Sequence, residues 1–279
     1  MAVTRALVLG GGGVAGIAWE VGVLAGLAEQ GVDVSGADFL LGTSAGAAVA
    51  GQLGSGLALE ELFRRQVEPA LQNVELAPTG TSVSELMIRL TELAATIPDP
   101  VELARQIGIL ALSADTVTEP ERRAVIAGRL PVHEWAQRRI AVVAVDAHTG
   151  VPRVFDRESG VGLVDAVAAS CAVPGIWPPT TIDGARYLDG GVRSNTNVDL
   201  AAGYQRVLIV APMVDPMLDA GLRKLPEQTR VQLIAPDEAS ATSFGVNPLD
   251  PAVRTPAARA GFAQGRQAAA TVREFWLGE

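Results

Sequence analysis

An α/β fold with a central, mainly parallel sheet flanked by helices is predicted by three features of the 279-residue sequence. Two strand, glycine-turn, helix units follow one another at the N-terminus, buried-strand sequence resumes near residue 139, and a helical stretch with proline breaks lies between them. Hydrophobic residues make up 48% of the chain and charged residues 19%, enough apolar side chain for a sizeable core and far from the composition of a disordered chain.

Ala6-Leu7-Val8-Leu9, a short apolar run ended by four glycines, predicts a buried parallel strand. A helix follows from Val14 to Gln30, because Ile17, Val21, Leu24, Leu27 and Ala28 recur at helical spacing and Gly31 supplies the stop. Asp38 to Leu41 reads as a second strand, Gly42 to Gly46 as a tight turn, and Ala47 to Leu53 as another helix. From Leu57 to Arg129 the chain carries amphipathic helical segments broken at Pro69, Pro78, Pro98, Pro100 and Pro120, with no strand. Arg139 to Val145 returns to strand, Val151 to Phe155 pairs with it through the turn at His148-Thr149-Gly150, and Val161 to Ala172 is helical. Thr181-Ile182 and Ala185 to Leu188 form a hairpin about Asp183-Gly184, Arg206 to Val210 is one more core strand, and Pro251 to Trp276 is an Ala-rich helix. With no internal repeat or low-complexity linker, one domain over residues 1–279 is expected, with a helical insertion at about 57–129 that forms a cap.

Several function classes are excluded by composition. Lys+Arg number 22 against Asp+Glu 31, a net charge of −9, and the Arg pairs at 64/65, 122/123 and 138/139 are scattered, so no nucleic-acid partner is expected. The single cysteine, Cys171, makes no intrachain disulfide, and two histidines do not assemble a zinc site, so no metal and no cofactor is expected. Cys171, in an apolar helix end, reads as buried and inert. The apolar run from Ala6 to Trp19 is too rich in glycine for a signal peptide or a transmembrane helix. A cytoplasmic protein beginning at Met1 is expected.

The chemistry lies in the glycine turns. Gly11-Gly12-Gly13-Val14-Ala15-Gly16, between a strand and a helix, fits the backbone cradle for any anion, a pyrophosphate or the oxyanion of acyl transfer. A dinucleotide site needs an acid at the end of the second strand; Asp33 lies about 20 residues beyond the glycines, but before that strand. The second strand ends instead in Gly42-Thr43-Ser44-Ala45-Gly46, a nucleophile-elbow pattern in which glycines relieve a sharp turn that presents the Ser44 hydroxyl. The alternative for each motif is a small-residue turn in an Ala/Gly-rich chain. His133 and His148 read as surface or turn residues, so a base for Ser44 is sought among carboxylates. Asp189, at a strand end before Gly190-Gly191, has that setting, whereas Asp146 and Asp183 read as turn residues. Trp177-Pro178-Pro179 reads equally as pocket lining or as a rigid loop, and Asn195 and Asn197 as helix caps.

Taken in order, Gly11-Gly12-Gly13-x-x-Gly16, Gly42-Thr43-Ser44-Ala45-Gly46, Ala169-Ser170-Cys171-Ala172-x-Pro174 and Asp189-Gly190-Gly191 resemble the patatin-like phospholipases, over the first fifty residues and roughly Val161 to Leu200. The resemblance implies a patatin-like fold and a serine lipid acyl hydrolase with a Ser–Asp dyad. Ser44 then matches the nucleophile, Asp189 the base, and the backbone of Gly11, Gly12 and Gly13 the oxyanion hole. It also implies a lipid or other acyl-ester substrate and leaves room for transient contact with a membrane surface. One departure stands out: Ala15 occupies the position where the family often carries Arg or Lys. The rival functions are a transacylase or thioesterase on the same dyad, and a nucleotide-binding α/β protein holding phosphates at Gly11 to Gly16. Leu86 and Leu90, i and i+4 in the insertion, read equally as lipid contacts or as core.

Overall fold

The computed structural model describes residues 3–80 and 82–278. Among them the strands are β1 (Arg5–Leu9), β2 (Phe39–Thr43), β3 (Arg139–Asp146), β4 (Pro152–Phe155), β5 (Thr180–Ile182), β6 (Ala185–Asp189), β7 (Arg206–Val210) and β8 (Arg230–Ile234). They form one sheet in the order β5-β6-β3-β2-β1-β7-β8, with β4 also on β3. β3, β2, β1, β7 and β8 run parallel; β6 and β4 are antiparallel to β3, and β5 to β6.

The central strands alternate between two apolar layers, as the two-residue repeat of a strand buried on both faces requires. Leu7, Leu9, Leu40, Val142 and Leu208 face the larger core, which includes residues of α1 (Gly13–Glu29), α2 (Ala45–Gly54), α7 (Leu163–Ser170) and α10 (Arg254–Trp276). Ala6, Val8, Leu41, Val143 and Ile209 face a smaller one, closed by a 3-10 turn at Val198–Ala201 and by α8 (Met217–Leu222). α1 and α10 pack so closely that a Cβ on Gly22 would lie 2.2 Å from the Ala258 carbonyl oxygen, and one on Gly265 2.2 Å from that of Val23.

The stretch between β2 and β3 is helical, and local chemistry starts its later helices. Ser82 with Glu85 and Thr118 with Glu121 form capping boxes at α4 (Val83–Thr96) and α6 (Glu119–Arg129), and Pro100 opens α5 (Pro100–Leu112) behind the Asp99 cap. α3 (Leu59–Val67), which the sequence places within the insertion, instead packs against α1 and α10 in the main layer. Leu86 of α4 is buried with Ile176 and Trp177, which removes it as a lipid contact; Leu90 is partly buried beside them.

Most elements match their expected positions to within two or three residues, and β7 coincides with Arg206 to Val210. β8, α8 and α9 (Glu238–Ser243) were not expected. β8 is an edge strand with exposed Val231 and Leu233, and so lacks the continuous apolar run of its neighbours.

Candidate active site

β1, β2 and β7 end together, and the two glycine turns lie just beyond their carboxyl ends. Ser44 follows β2 with φ 54° and ψ −113°, a left-handed backbone a non-glycine residue adopts only under constraint. The flanking glycines make that turn feasible: a Cβ on Gly42 would lie 2.5 Å from the Gly46 carbonyl oxygen, and one on Gly46 2.1 Å from that of Leu9. The Ser44 amide donates to Ser170 Oγ at 2.9 Å, and Ser170 Oγ donates in turn to the Val143 carbonyl at 2.6 Å. Cys171 Sγ donates to the Ser44 carbonyl at 3.2 Å. The Ser170-Cys171 pair, to which the sequence assigned no role, therefore holds the elbow from both sides. Burial pushes the Cys171 thiol up to about 11, in keeping with an inert structural cysteine.

Asp189 ends β6, buried beside Ser44, and the Gly191 amide donates to its Oδ1 at 2.8 Å. Burial raises its carboxyl to about 6, opposed by hydrogen bonding from the Ser44 side chain, by the Gly191 amide and by the charge of Arg122. His133 is exposed with its ring Nε2 on the Ala127 carbonyl, and His148 lies in the exposed turn held by Asp146 Oδ1; neither meets Ser44. Asp183 sits at φ 51° in the β5–β6 turn.

The glycine loop divides its amides. Gly11 donates to the Asn195 carbonyl at 2.9 Å, so its N–H is engaged within the protein, contrary to the expected donor role. Ala15 donates to the Pro248 carbonyl at 2.9 Å. The amides of Gly12, Gly13 and Val14, at the start of α1, have no acceptor among the described residues. Asn197 is not a side-chain cap: its amide nitrogen donates to Thr43 Oγ1, Ser194 O and Gly190 O beneath the site. Asp33 is exposed, accepting from the Ser35 amide, away from any phosphate the loop could hold.

Gly13, Val14, Ser44, Arg122, Trp177 and Leu249 line a cavity of about 10 Å³, roughly the room one water needs. Trp177 is thus pocket lining. A groove of about 830 Å³ near Leu57, Phe63 and Phe262 lies elsewhere and contains none of these groups. Behind the cavity wall sits a buried ion cluster absent from the sequence reading: Glu75 Oε2 is 2.7 Å from Arg129 and 3.6 Å from Arg122, and Oε1 is 2.9 Å from Arg254. Burial works to raise the Glu75 carboxyl, but the guanidiniums, Arg129 foremost, hold it below the usual range. No periodicity or motif links positions 75, 122, 129 and 254; only the fold brings them together. Among the described residues no group of acidic, His or Cys side chains could hold a metal ion, and no helix is long and apolar enough to cross a membrane.

The model of the patatin-like phospholipase family matches residues 7–202, from β1 through the Val198–Ala201 turn. The chain belongs to the patatin-like phospholipase family. It is thereby an enzyme of a lipid-hydrolase family. Among solved structures, VipD from Legionella pneumophila shares the fold, with a TM-score of 0.50 and 14% identity over 97% of this chain and 67% of that one. Weaker likenesses are to the type III effector protein ExoU (TM-score 0.38, 17% identity, 96% of this chain and 53% of that one) and to the structure of SpcU with ExoU from Pseudomonas aeruginosa (0.34, 15%, 94% and 52%). This patatin-like chain thus spans about two thirds of VipD and about half of ExoU. Comparison with curated protein sequences gives no match.

Proposed function

We propose that the protein is a serine lipid acyl hydrolase in which Ser44 is the nucleophile and Asp189 the base. The observation that carries this reading is the strained, twice-anchored Ser44 beside a buried carboxylate, with no histidine near either. Ser44 Oγ attacks the ester carbonyl as Asp189 takes its proton, and the negative charge that forms on the carbonyl oxygen is met by the free amides of Gly12, Gly13 and Val14. Collapse of that intermediate expels the alcohol, which takes the proton back from Asp189, and leaves an acyl-Ser44 ester. Water then attacks this ester, giving its proton to Asp189, and the acid leaves as Ser44 recovers its proton. Gly11 contributes by fixing the loop rather than by donating. A carboxylate raised to about 6 is a stronger base than an exposed one yet still ionised at neutral pH.

The cavity at Ser44 is too small for an ester, so the side chains that cover it separate when substrate binds. The helices between residues 83 and 129, with Trp177 and Leu249, are the cap in this reading, and the chain acts as one domain. Exposed Met87 and Ile88 on α4 support transient contact of that cap with a lipid surface, and the substrate is a lipid or other acyl ester met in the cytoplasm. Hydrolysis of esters, phospholipids and acyl thioesters by wild type and Ser44→Ala tests the proposal: activity is expected on oxygen esters and is lost in the variant. Equal activity in Ser44→Ala rejects it.

A further inference from the structure

Arg122 is buried, only 5% exposed. Its Nε and Nη1 are fully enclosed without an acceptor, although it lines the same cavity as Ser44. Its partners are the Trp177 ring, 3.9 Å from the guanidinium carbon, and Glu75, 3.6 Å from Nη1. Glu75 is already shared with closer bonds to Arg129 and Arg254, so three guanidiniums meet one carboxylate. A buried cation without its hydrogen bonds is costly to the folded state, so Arg122 calls for an acceptor. Burial and the charge of Arg129 push Arg122 down to about 9, which leaves it cationic at neutral pH.

The cavity lining therefore holds two kinds of anion-seeking group: the free amides of Gly13 and Val14, and the Arg122 guanidinium. The first suits the reacting oxyanion. The loop itself carries Ala15 and brings no cation of its own.

We propose that Arg122 is a specificity-determining residue that binds an anionic phosphate on the substrate, beside the ester that Ser44 attacks. This rests on the hydrolase reading and goes further by naming the residue that selects for a phosphate beside the ester. Opening of the cavity brings phosphate oxygens to Nε and Nη1 while Trp177 stays stacked on the other face. A role in stabilising the reacting oxyanion would instead act on every ester alike.

The test compares a short-chain diacyl glycerophosphate ester with the matching neutral diacylglycerol, both below the concentration at which they aggregate. In Arg122→Gln the ratio of kcat/KM for phosphate ester over neutral ester is expected to fall at least tenfold, carried mainly by KM. Arg123→Gln, an exposed neighbour paired with Asp165, should leave that ratio unchanged. In wild type, glycerol 3-phosphate should compete with the neutral ester, an arm readable even if Arg122→Gln does not fold. A ratio unchanged in a folded Arg122→Gln, an equal loss on both esters, or no competition in wild type overturns the proposal. Competition by inorganic phosphate with an unchanged ratio marks a free-anion site and also overturns it. If Ser44→Ala hydrolyses the neutral ester at the wild-type rate, the fault lies with the hydrolase reading and not with Arg122.

Discussion

Ser44 and Asp189 come from strands that do not touch: β3 runs between β2 and β6, parallel to the first and antiparallel to the second. Thr43 pairs with Val143 and Asp189 with Ala144, so the ends of a parallel and an antiparallel strand arrive at one level of the sheet. Both strand ends are tied through β3, Ser44 by way of Ser170 and Asp189 by direct pairing.

The protonation of Asp189 sets one expectation. A base works in its ionised form, and this carboxyl is raised to about 6, so kcat/KM should rise with pH through about 6 and level off above it. Asp189→Asn should lower kcat by roughly 10² to 10⁴ and remove this limb. A pH–rate profile on a soluble ester reads both; a flat profile between pH 4.5 and 8 goes against Asp189 as base.

Ser170 carries a second. Ser170→Ala strands the buried Ser44 amide, at a cost of about 1–3 kcal/mol in stability. Because the elbow loosens while the substrate walls remain, kcat should fall more than KM changes. Denaturant unfolding and steady-state kinetics on the same preparation test this, and an unchanged kcat would mean that the anchor serves packing alone.

The seam between α1 and α10 gives a third. Gly22→Ala drives a Cβ to within 2.2 Å of the Ala258 carbonyl oxygen, so the helices must part and the variant should lose several kcal/mol or fail to fold. Gly36→Ala, with open space around its position, should change the melting temperature little. Equal effects of the two would contradict so tight a seam.

Glu20 gives a fourth. It is buried in α1 with both carboxyl oxygens unpartnered, and burial holds its carboxyl well above the ordinary value, only partly offset by the nearby Gly10 backbone. The folded state then keeps a proton the unfolded chain has lost, so this residue costs stability increasingly as pH rises above the unfolded value of about 4.3. Glu20→Gln should raise the melting temperature at pH 7.5 by several degrees and much less at pH 4. Equal shifts at both values would show that Glu20 is not protonated in the fold.

The sheet was legible because its central strands are continuous apolar runs and its turns are spelled by glycine: Gly10 to Gly13, Gly42 to Gly46 and Asp183-Gly184. β8 escaped notice because an edge strand with polar alternation looks like loop. Ser44 and Asp189 could be singled out from local patterns at strand ends. The engagement of Gly11 by Asn195, and the gathering of Arg122, Arg129 and Arg254 on Glu75, depend on contacts between residues up to 184 positions apart, which no local pattern encodes. Leu86 shows the same limit, since helical spacing names a face but not what covers it.

The most direct measurement is intact-protein mass after reaction with a fluorophosphonate. Wild type should gain one adduct, located on Ser44 by peptide mapping. Ser44→Ala should gain none, Asp189→Asn should react at least a hundredfold more slowly, and the double variant His133→Gln/His148→Gln should react at close to the wild-type rate. An adduct that persists in Ser44→Ala, or a loss of reaction in the histidine double variant with Asp189→Asn still fast, would contradict the Ser44–Asp189 dyad.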